Sequence, residues 1–376
     1  MMKVLLIIGS MPNKAPYLNH YIELFKVNHI VFDVICWNRN SDKDIVLPEN
    51  YILYNKPSDI RSPFWKKFFD LYYYALFIKK RCKSNNYNLI VVFTIAECIF
   101  LQSYLKKKYE NRYIFDIRDY SPLMKIAYFR KITEKMIAHS SFTVISSKGF
   151  LNWLPQKDNC RYVITHNIDE KSLKELNKLR QIENPSKPCQ TNPQNRPIHI
   201  LTIGQLRDFE SNSSLIRILH NNPNYMIYFS GSGIAEKQLK EFSNKLKAEN
   251  VVFTGYYRKE EEAEIVERSD MINILFNHNI NSNSLMSNRF YLSVIHRKPM
   301  IVRSDTFQAE LVQLYKLGVV VNKEDDLICN IENFWRTYDF NIYNQECSRF
   351  LNMVIEDINN FDNKMLSLLN SAMYNH

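Results

Sequence analysis

Four of the chain's seven glycines, Gly9, Gly204, Gly231 and Gly255, directly follow apolar runs. At the carboxyl edge of a parallel sheet, a missing side chain lets backbone N–H groups approach a phosphate. Gly233 extends the pattern within YFSGSG. Two arginines stand where a phosphate would be gripped. Arg207 lies three residues after Gly204, in GQLRDFE. It precedes a helix start, where the dipole disfavours a cation unless an anion is bound. Arg289 falls in the first turn of a helix that Ser287 or Asn288 can cap, in SNRFYLSVIHRKPMIV (287–302). A guanidinium beside a helix N-terminus suits a diphosphate. His166 ends another apolar run, where an imidazole either orients a hydroxyl or packs.

Metal chemistry has weaker support. Asp42-Lys43-Asp44 is a DxD match, but it lies in a polar loop away from any strand end and reads as solvated. His139, His278 and His296 lack ligand spacing. No metal and no cofactor is expected.

These residues require strands that end in glycine and helices that start beside them. Strands are predicted at 3–8, 29–37, 51–55, 88–94, 112–117, 142–147 and 161–167. Helices are predicted at 18–27, 63–84, 96–109, 121–138 and 148–153. The alternation implies an α/β domain with a parallel, doubly wound sheet over 1–170. Residues 171–196 carry Pro185, Pro188 and Pro193 and read as a linker. Alternation resumes over 197–340. Strands are predicted there at 198–204, 226–233, 250–256, 271–276, 299–303 and 317–321. The helices between them are 210–220, 234–248, 259–268, 288–297 and 307–316. The tail, roughly 330–376, reads as helical, and its helices over 341–376 are expected to pack back across the domains.

The 376 residues suggest two domains. An apolar share of 45% and a charged share of 23% exclude a disordered or collagen-like chain. The longest apolar run, 89–101, is too short to span a bilayer and contains Glu97. The start has too few apolar residues for a signal peptide. The seven cysteines are scattered without a CxxC pair, which fits a reducing compartment. A cytoplasmic protein is expected. Residues 1–170 hold 25 Lys/Arg against 15 Asp/Glu, whereas 171–376 hold 24 of each. The whole net charge of +10 therefore sits in the first half. That favours an anionic partner such as a membrane surface or a phosphorylated substrate. No nucleic-acid-binding signature accompanies it. RSPFWKKFFDLYYYALFIKKRCK (61–83) is aromatic in the middle and basic at both ends. It reads as a crossover helix packed on the sheet, or as a patch for a membrane surface.

NRFYLSVIHRKPMIV resembles the "N-[KR]-x-[FY]-E-x-x-x-x-G-K-P-x-I" stretch of retaining family 4 glycosyltransferases, of the capsular and exopolysaccharide type. SDTFQAELVQLYKLGVVV (304–321) is similar to the segment that follows it. LTIGQLRD, YFSGSG and VVFTGYYRKEE match the order of that group's donor-domain strands. FDIRDYSP, TVISSKGFLNWLP and YVITHNID look like its acceptor-domain features.

The resemblance implies two Rossmann-like domains facing a central cleft (GT-B), with a C-terminal helix returning to the N-terminal domain. It implies transfer of a sugar from a nucleotide diphospho-sugar to a hydroxyl of a lipid-linked or growing saccharide, with retained configuration and no metal. Arg207 would bind the diphosphate, and Asn288 and Arg289 would lie by the phosphates or nucleoside. Gly9 and Ser10 would form the acceptor-domain loop, and Asp119 or Arg118 would act near the reacting sugar. Three positions depart from the pattern. Leu285 and Leu292 replace a Glu pair of which the second binds ribose, and Arg297 replaces the Gly before Lys-Pro. Glu310 is the substitute carboxylate considered. The departures leave open a degenerate transferase acting as a scaffold for a partner enzyme. A nucleotide-sugar epimerase of the same architecture would need an acid/base carboxylate pair that the sequence does not reveal.

Overall fold

The computed structural model describes residues 2–42, 45–59, 62–155, 161–168, 196–323 and 326–374. Of the predicted linker, 171–195 lies outside the described residues, as do Lys43 and Asp44 of the DxD match. The chain divides into two compact units. Unit 1 comprises Met1–Glu170 and Glu356–His376, and unit 2 comprises Lys171–Ile355.

In unit 1, seven apolar runs form β1 (Lys3–Ile7), β2 (Val31–Asn38), β3 (Tyr51–Asn55), β4 (Leu89–Phe93), β5 (Tyr113–Ile117), β6 (Phe142–Ile145) and β7 (Tyr162–Ile164). They build one parallel sheet in the order β3-β2-β1-β4-β5-β6-β7. The central strand β4, LIVVF, is apolar and buried throughout because helices cover both faces. The covering helices are α1 (Leu18–Val27), α2 (Phe64–Ser84), α3 (Ile95–Cys98), α4 (Gln102–Tyr109) and α5 (Ala127–His139). The predicted helix 96–109 is thus two pieces. The segment predicted at 121–138 opens with a 3-10 turn at Pro122–Lys125, and extended Ile126 separates it from α5.

Unit 2 repeats the plan. Its strands are β8 (Ile198–Ile203), β9 (Tyr225–Ser230), β10 (Val251–Gly255), β11 (Met271–Ile274), β12 (Met300–Arg303) and β13 (Gly318–Val321). They lie parallel in the order β10-β9-β8-β11-β12-β13. The helices are α6 (Phe209–Leu219), α7 (Glu236–Lys245), α8 (Glu262–Glu267), α9 (Ile280–Ser284), α10 (Asn288–Ile295), α11 (Phe307–Leu314) and α12 (Leu327–Arg336). Among these, α9 has no counterpart in the sequence reading: INSNS carries no apolar periodicity, and Asn279 caps it locally.

A 35-residue helix, α13 (Phe340–Tyr374), ends the described chain. Its last part belongs to unit 1. Phe361, Met365 and Leu369 recur every four residues and are buried with Tyr21, Phe25 and Val144. His20 Nε2 pairs with Asp362 at 2.7 Å on the same face. The return of the C-terminal helix to the first domain is therefore a packing fact.

Each sheet reverses its order once, at β1/β4 and at β8/β11. A doubly wound sheet binds ligands beyond the carboxyl ends of its strands at that point. In unit 2 the turns there are laced backbone to backbone. Gly204 N donates to Ser230 O (2.8 Å), Gly231 N to Gly255 O (2.7 Å) and Leu206 N to Ser232 O (3.1 Å). At Gly231 φ is +134°, and a Cβ would run into Gly204 O with Gly204 C only 2.8 Å away. Gly231→Ala is expected to destabilise unit 2 by at least about 3 kcal/mol, since both backbone strain and overlap oppose it. Urea unfolding checks this, and a loss below about 1 kcal/mol would contradict the packing argument.

Candidate functional site

At the β1/β4 reversal of unit 1, the chain leaves β1 through Gly9 and Ser10. A Cβ on Gly9 would run into the Glu97 carboxylate, with Glu97 Cγ at 2.8 Å. Glu97 stands just after β4 and is 7% exposed. Thr94, held at φ +66°, donates its hydroxyl to that carboxylate. Arg39, one residue past β2, donates Nη2 to Glu97 Oε1 (2.9 Å) and Nε to Gly9 O (2.7 Å). Its guanidinium lies 4.0 Å from the Trp37 ring. Ser10 O accepts from Trp37 N (3.2 Å), and the Ser10 hydroxyl donates to Met11 O (3.3 Å). Gly9 and Ser10 therefore sit over a paired, buried carboxylate that the sequence reading missed. Glu97 had registered only as an interruption in an apolar run.

The DIRD stretch splits in two. Arg118 is buried, and its Nη2 reaches Asp116 Oδ2 at 2.5 Å. The Tyr21 hydroxyl donates to the same oxygen at 2.6 Å. Arg118 also lies 4.9 Å from the Tyr17 ring and donates to Thr165 O (3.4 Å). Burial opposes the Arg118 charge, but Asp116 and the two tyrosines more than offset it and raise its pKa. Asp119, in contrast, is exposed, two residues beyond the end of β5. Of the two candidates, Asp119 is the one a solvent-borne ligand reaches directly.

His166 follows β7, and its side chain is 6% exposed. Its Nε2 lies 3.2 Å from Asp357 of α13. Burial lowers its pKa from the ordinary 6.5, with Lys148 and Arg118 adding to the effect against the pull of Asp357. The imidazole thus ties β7 to the last helix. Below about pH 6.5 the unfolded chain takes up a proton that the folded chain still refuses, so stability falls as pH drops. His166→Gln is expected to flatten that fall, as read from urea midpoints at about pH 5 and about pH 7.5. An unchanged slope would remove His166 from the account.

Unit 2 gathers more of its candidates. At the β8/β11 reversal, Asp208 caps α6 by accepting from Ser211 N (3.1 Å) and accepts from Asn277 N (2.7 Å) of the loop after β11. Asn277 also accepts from the Ser211 hydroxyl (2.9 Å) and donates to Glu210 (2.8 Å). Asn273 joins β11 to Thr202 (2.8 Å) and to Asn212 (3.1 Å). This polar lattice holds the turn carrying Gly204 and Arg207. The turn needs glycine at 204, where φ is +91° and the nearest heavy atom to a Cβ is the Tyr257 hydroxyl at 4.0 Å.

Arg289 reaches the same turn from α10. Its Nε donates to Ile203 O (2.5 Å) and its Nη2 to Gln205 O (3.0 Å), the residues on either side of Gly204. Burial pulls its pKa down to about 10, with Tyr257 and Asp208 pulling back up, so it stays a cation at neutral pH. No carboxylate among the described residues pairs with it. Arg207 is exposed on the same turn and likewise has no acidic partner among them. Asn288 is the exposed first residue of α10. Ser287 does not cap that helix with its side chain. Its N–H (3.1 Å) and hydroxyl (2.7 Å) both donate to Gln308, which ties α10 to the start of α11. Glu310 is exposed in the first turn of α11. Gly233 belongs to the turn's foundations, because its Cβ position is filled by the Leu206 backbone. The two cations, Gly204 and the α10 start form an arrangement suited to an anion of two phosphates.

Arg297, at the position where the resemblance has Gly, adopts φ +55°. The left-handed turn is kept and the side chain is used elsewhere, with Nη2 on Ser348 at 3.0 Å. Among the described residues, no group of three His, Cys, Asp or Glu is placed to hold a metal.

No family model matches the chain, and no curated protein matches it in sequence. Solved structures do match it in shape. Sucrose-phosphate synthase from Thermosynechococcus elongatus aligns with TM-score 0.69 and 11% identity over 100% of both chains. The lipopolysaccharide outer core galactosyltransferase WaaB gives 0.64 and 13%, over 97% of this chain and 99% of that one. A trehalose-6-phosphate structure from E. coli, bound with UDP-2-fluoro glucose, gives 0.65 and 11% over 98% of both. With its two parallel sheets of 7 and 6 strands, the chain has the two-Rossmann-domain fold of B-type glycosyltransferases.

Proposed function

We propose that this protein is a glycosyltransferase that moves a sugar from a nucleotide diphospho-sugar to a hydroxyl, without a metal and with retained configuration. The observation that carries the reading is the β8 turn, where two arginines that form no ion pair among the described residues meet a left-handed glycine beside the start of α10. When the bond between the anomeric carbon and the phosphate oxygen breaks, negative charge grows on the departing diphosphate. Arg289, Arg207 and the N–H groups at the start of α10 would stabilise that charge in place of a divalent ion. The acceptor hydroxyl oxygen forms the new bond to the anomeric carbon and gives its proton to the departing diphosphate oxygen. Unit 1 would bind the acceptor, with Asp119 at the open strand end and Gly9 and Ser10 at the β1/β4 reversal. A galactosyltransferase of lipopolysaccharide and a structure holding a UDP-sugar analogue among the fold relatives support a nucleotide-sugar donor and a saccharide acceptor. In our reading that acceptor is a lipid-linked or growing saccharide of surface polysaccharide synthesis.

Isothermal titration with UDP, GDP and CMP tests the donor site. One nucleoside diphosphate is expected to bind, and Arg207→Ala is expected to weaken it about ten-fold. A folded sample that binds none would overturn the proposal. A second reading, a non-catalytic scaffold, is favoured by apolar Leu285 and Leu292 at the two usual carboxylate positions. It predicts no slow hydrolysis of any nucleotide sugar, whereas the transferase reading predicts hydrolysis of one.

A further inference from the structure

The centre of α2, LYYYALFI (71–78), is apolar almost all round, which by itself predicts burial on both sides. Only one side is buried. Tyr74, Ala75 and Ile78 enter the interior, whereas Trp65 (64%), Phe69 (54%), Tyr73 (50%) and Leu76 (41%) are exposed. Trp65, Phe69, Tyr72 and Leu76 follow each other at four, three and four residues, so they form one stripe along the helix. The start of α5 lies beside the start of α2, with the Phe68 and Phe129 rings 6.4 Å apart. There Ile126 (45%) and Tyr128 (68%) are also exposed. No described helix is long and apolar enough to cross a membrane. The patch lies on the surface of unit 1.

Its charges are mostly positive, with one exposed acid, Glu134, a turn further along α5. Along α2, exposed Lys66 stands near one end of the stripe and exposed Lys80, Arg81 and Lys83 at the other. Lys125, Arg130 and Lys131, all exposed, flank Tyr128. The one acidic residue of α2, Asp70, is turned inward, bonded to Ser58 (2.9 Å) and Lys56 (3.1 Å). Aromatic side chains on one helix face, bracketed along α2 by cations with no exposed acid among them, match the headgroup boundary of an anionic bilayer. A protein partner of ordinary composition would leave these cations without matched acids, whereas an anionic lipid surface neutralises all of them.

We infer that unit 1 docks on an anionic phospholipid bilayer through α2 and the first turn of α5, with α2 lying in the plane of the headgroups. The inference is independent of the chemistry proposed for unit 2.

The full chain is tested by sedimentation with vesicles of phosphatidylcholine alone, or with about one-third phosphatidylglycerol. Binding to the anionic vesicles is expected to be at least about ten-fold tighter and to weaken with salt. Trp37 and Trp335 are buried and Trp153 is half-buried against Tyr120 and Phe150, so the part of a blue shift of tryptophan emission on binding that Trp65→Phe removes would report Trp65. The combined change Trp65→Ser, Phe69→Ser and Tyr128→Ser should lower vesicle binding at least about ten-fold. These side chains are exposed, so the thermal midpoint and nucleotide binding should not move. Equal binding to both vesicle types, or full binding by the triple variant, would overturn the inference. So would self-association that the triple variant abolishes, because the patch would then serve a second copy of the chain.

Discussion

Arg289→Ala is expected to lower kcat/KM for the nucleotide sugar by about 100-fold, equivalent to about 2.7 kcal/mol of transition-state stabilisation. Three features make it the largest effect in unit 2. The guanidinium donates to Ile203 O and Gln205 O, so it fixes both flanks of Gly204. Even with its pKa near 10 it is cationic at neutral pH. It forms no ion pair among the described residues, and Asp208 offsets only part of its charge, so it remains available to a diphosphate whose charge grows in the reaction. Arg289→Lys should recover only part of the loss, because one ammonium cannot hold two carbonyls and a phosphate as a planar fork does. Steady-state kinetics and nucleotide titration on folded variants decide the matter. If kcat/KM stays within about two-fold while stability drops, Arg289 is a strut for the turn and the donor site lies elsewhere.

Asp116→Ala should destabilise unit 1 by about 3–5 kcal/mol, the usual consequence of leaving one charge of a buried pair alone. Asp116 and Arg118 are both nearly inaccessible, and the Tyr21 hydroxyl spends its donor on the same carboxylate. Removing the carboxylate leaves the Arg118 cation without neutralisation and Tyr21 without an acceptor. Asp116→Asn should be nearly as damaging, since it keeps a partner for Tyr21 but not the charge. Replacing both members, Asp116→Ala with Arg118→Met, should recover most of the loss, because the desolvation penalty goes with the charges. Urea unfolding of the three variants provides the check. A single-variant loss below about 1 kcal/mol would mean the pair contributes little, and Arg118 would be free to serve as an acceptor-side group.

The two variants fall on residues that were unequally visible beforehand. Arg289 was a candidate from its place in a capped helix near Lys298-Pro299. Arg118 was also a candidate, but for the acceptor, and the structure assigns its guanidinium to Asp116 instead. Asp116 itself sits inside YIFDI, where it looks like a lapse in a strand. Glu97 and Arg39 were hidden in the same way: they are 58 residues apart and meet only because β1 lies between β2 and β4. Gly231 and Gly233 were read as phosphate-facing, and their Cβ positions turn out to be filled by neighbouring backbone. Asp208 had no role beyond its place in LTIGQLRD, and Asn277 carried no motif. Their bond depends on β8 and β11 being adjacent.

Apolar runs of strand length, helical periodicity between them and glycines at their ends were enough to establish two parallel α/β sheets and the turns where ligands would lie. Those features follow from short-range rules, namely which backbone conformations a residue tolerates and which face it must hide. Which charge meets which, and which side of α2 stays wet, followed from strand order and helix docking. A buried ion pair or an exposed aromatic stripe is defined by neighbours that come from distant parts of the chain, and short-range rules do not reach that far.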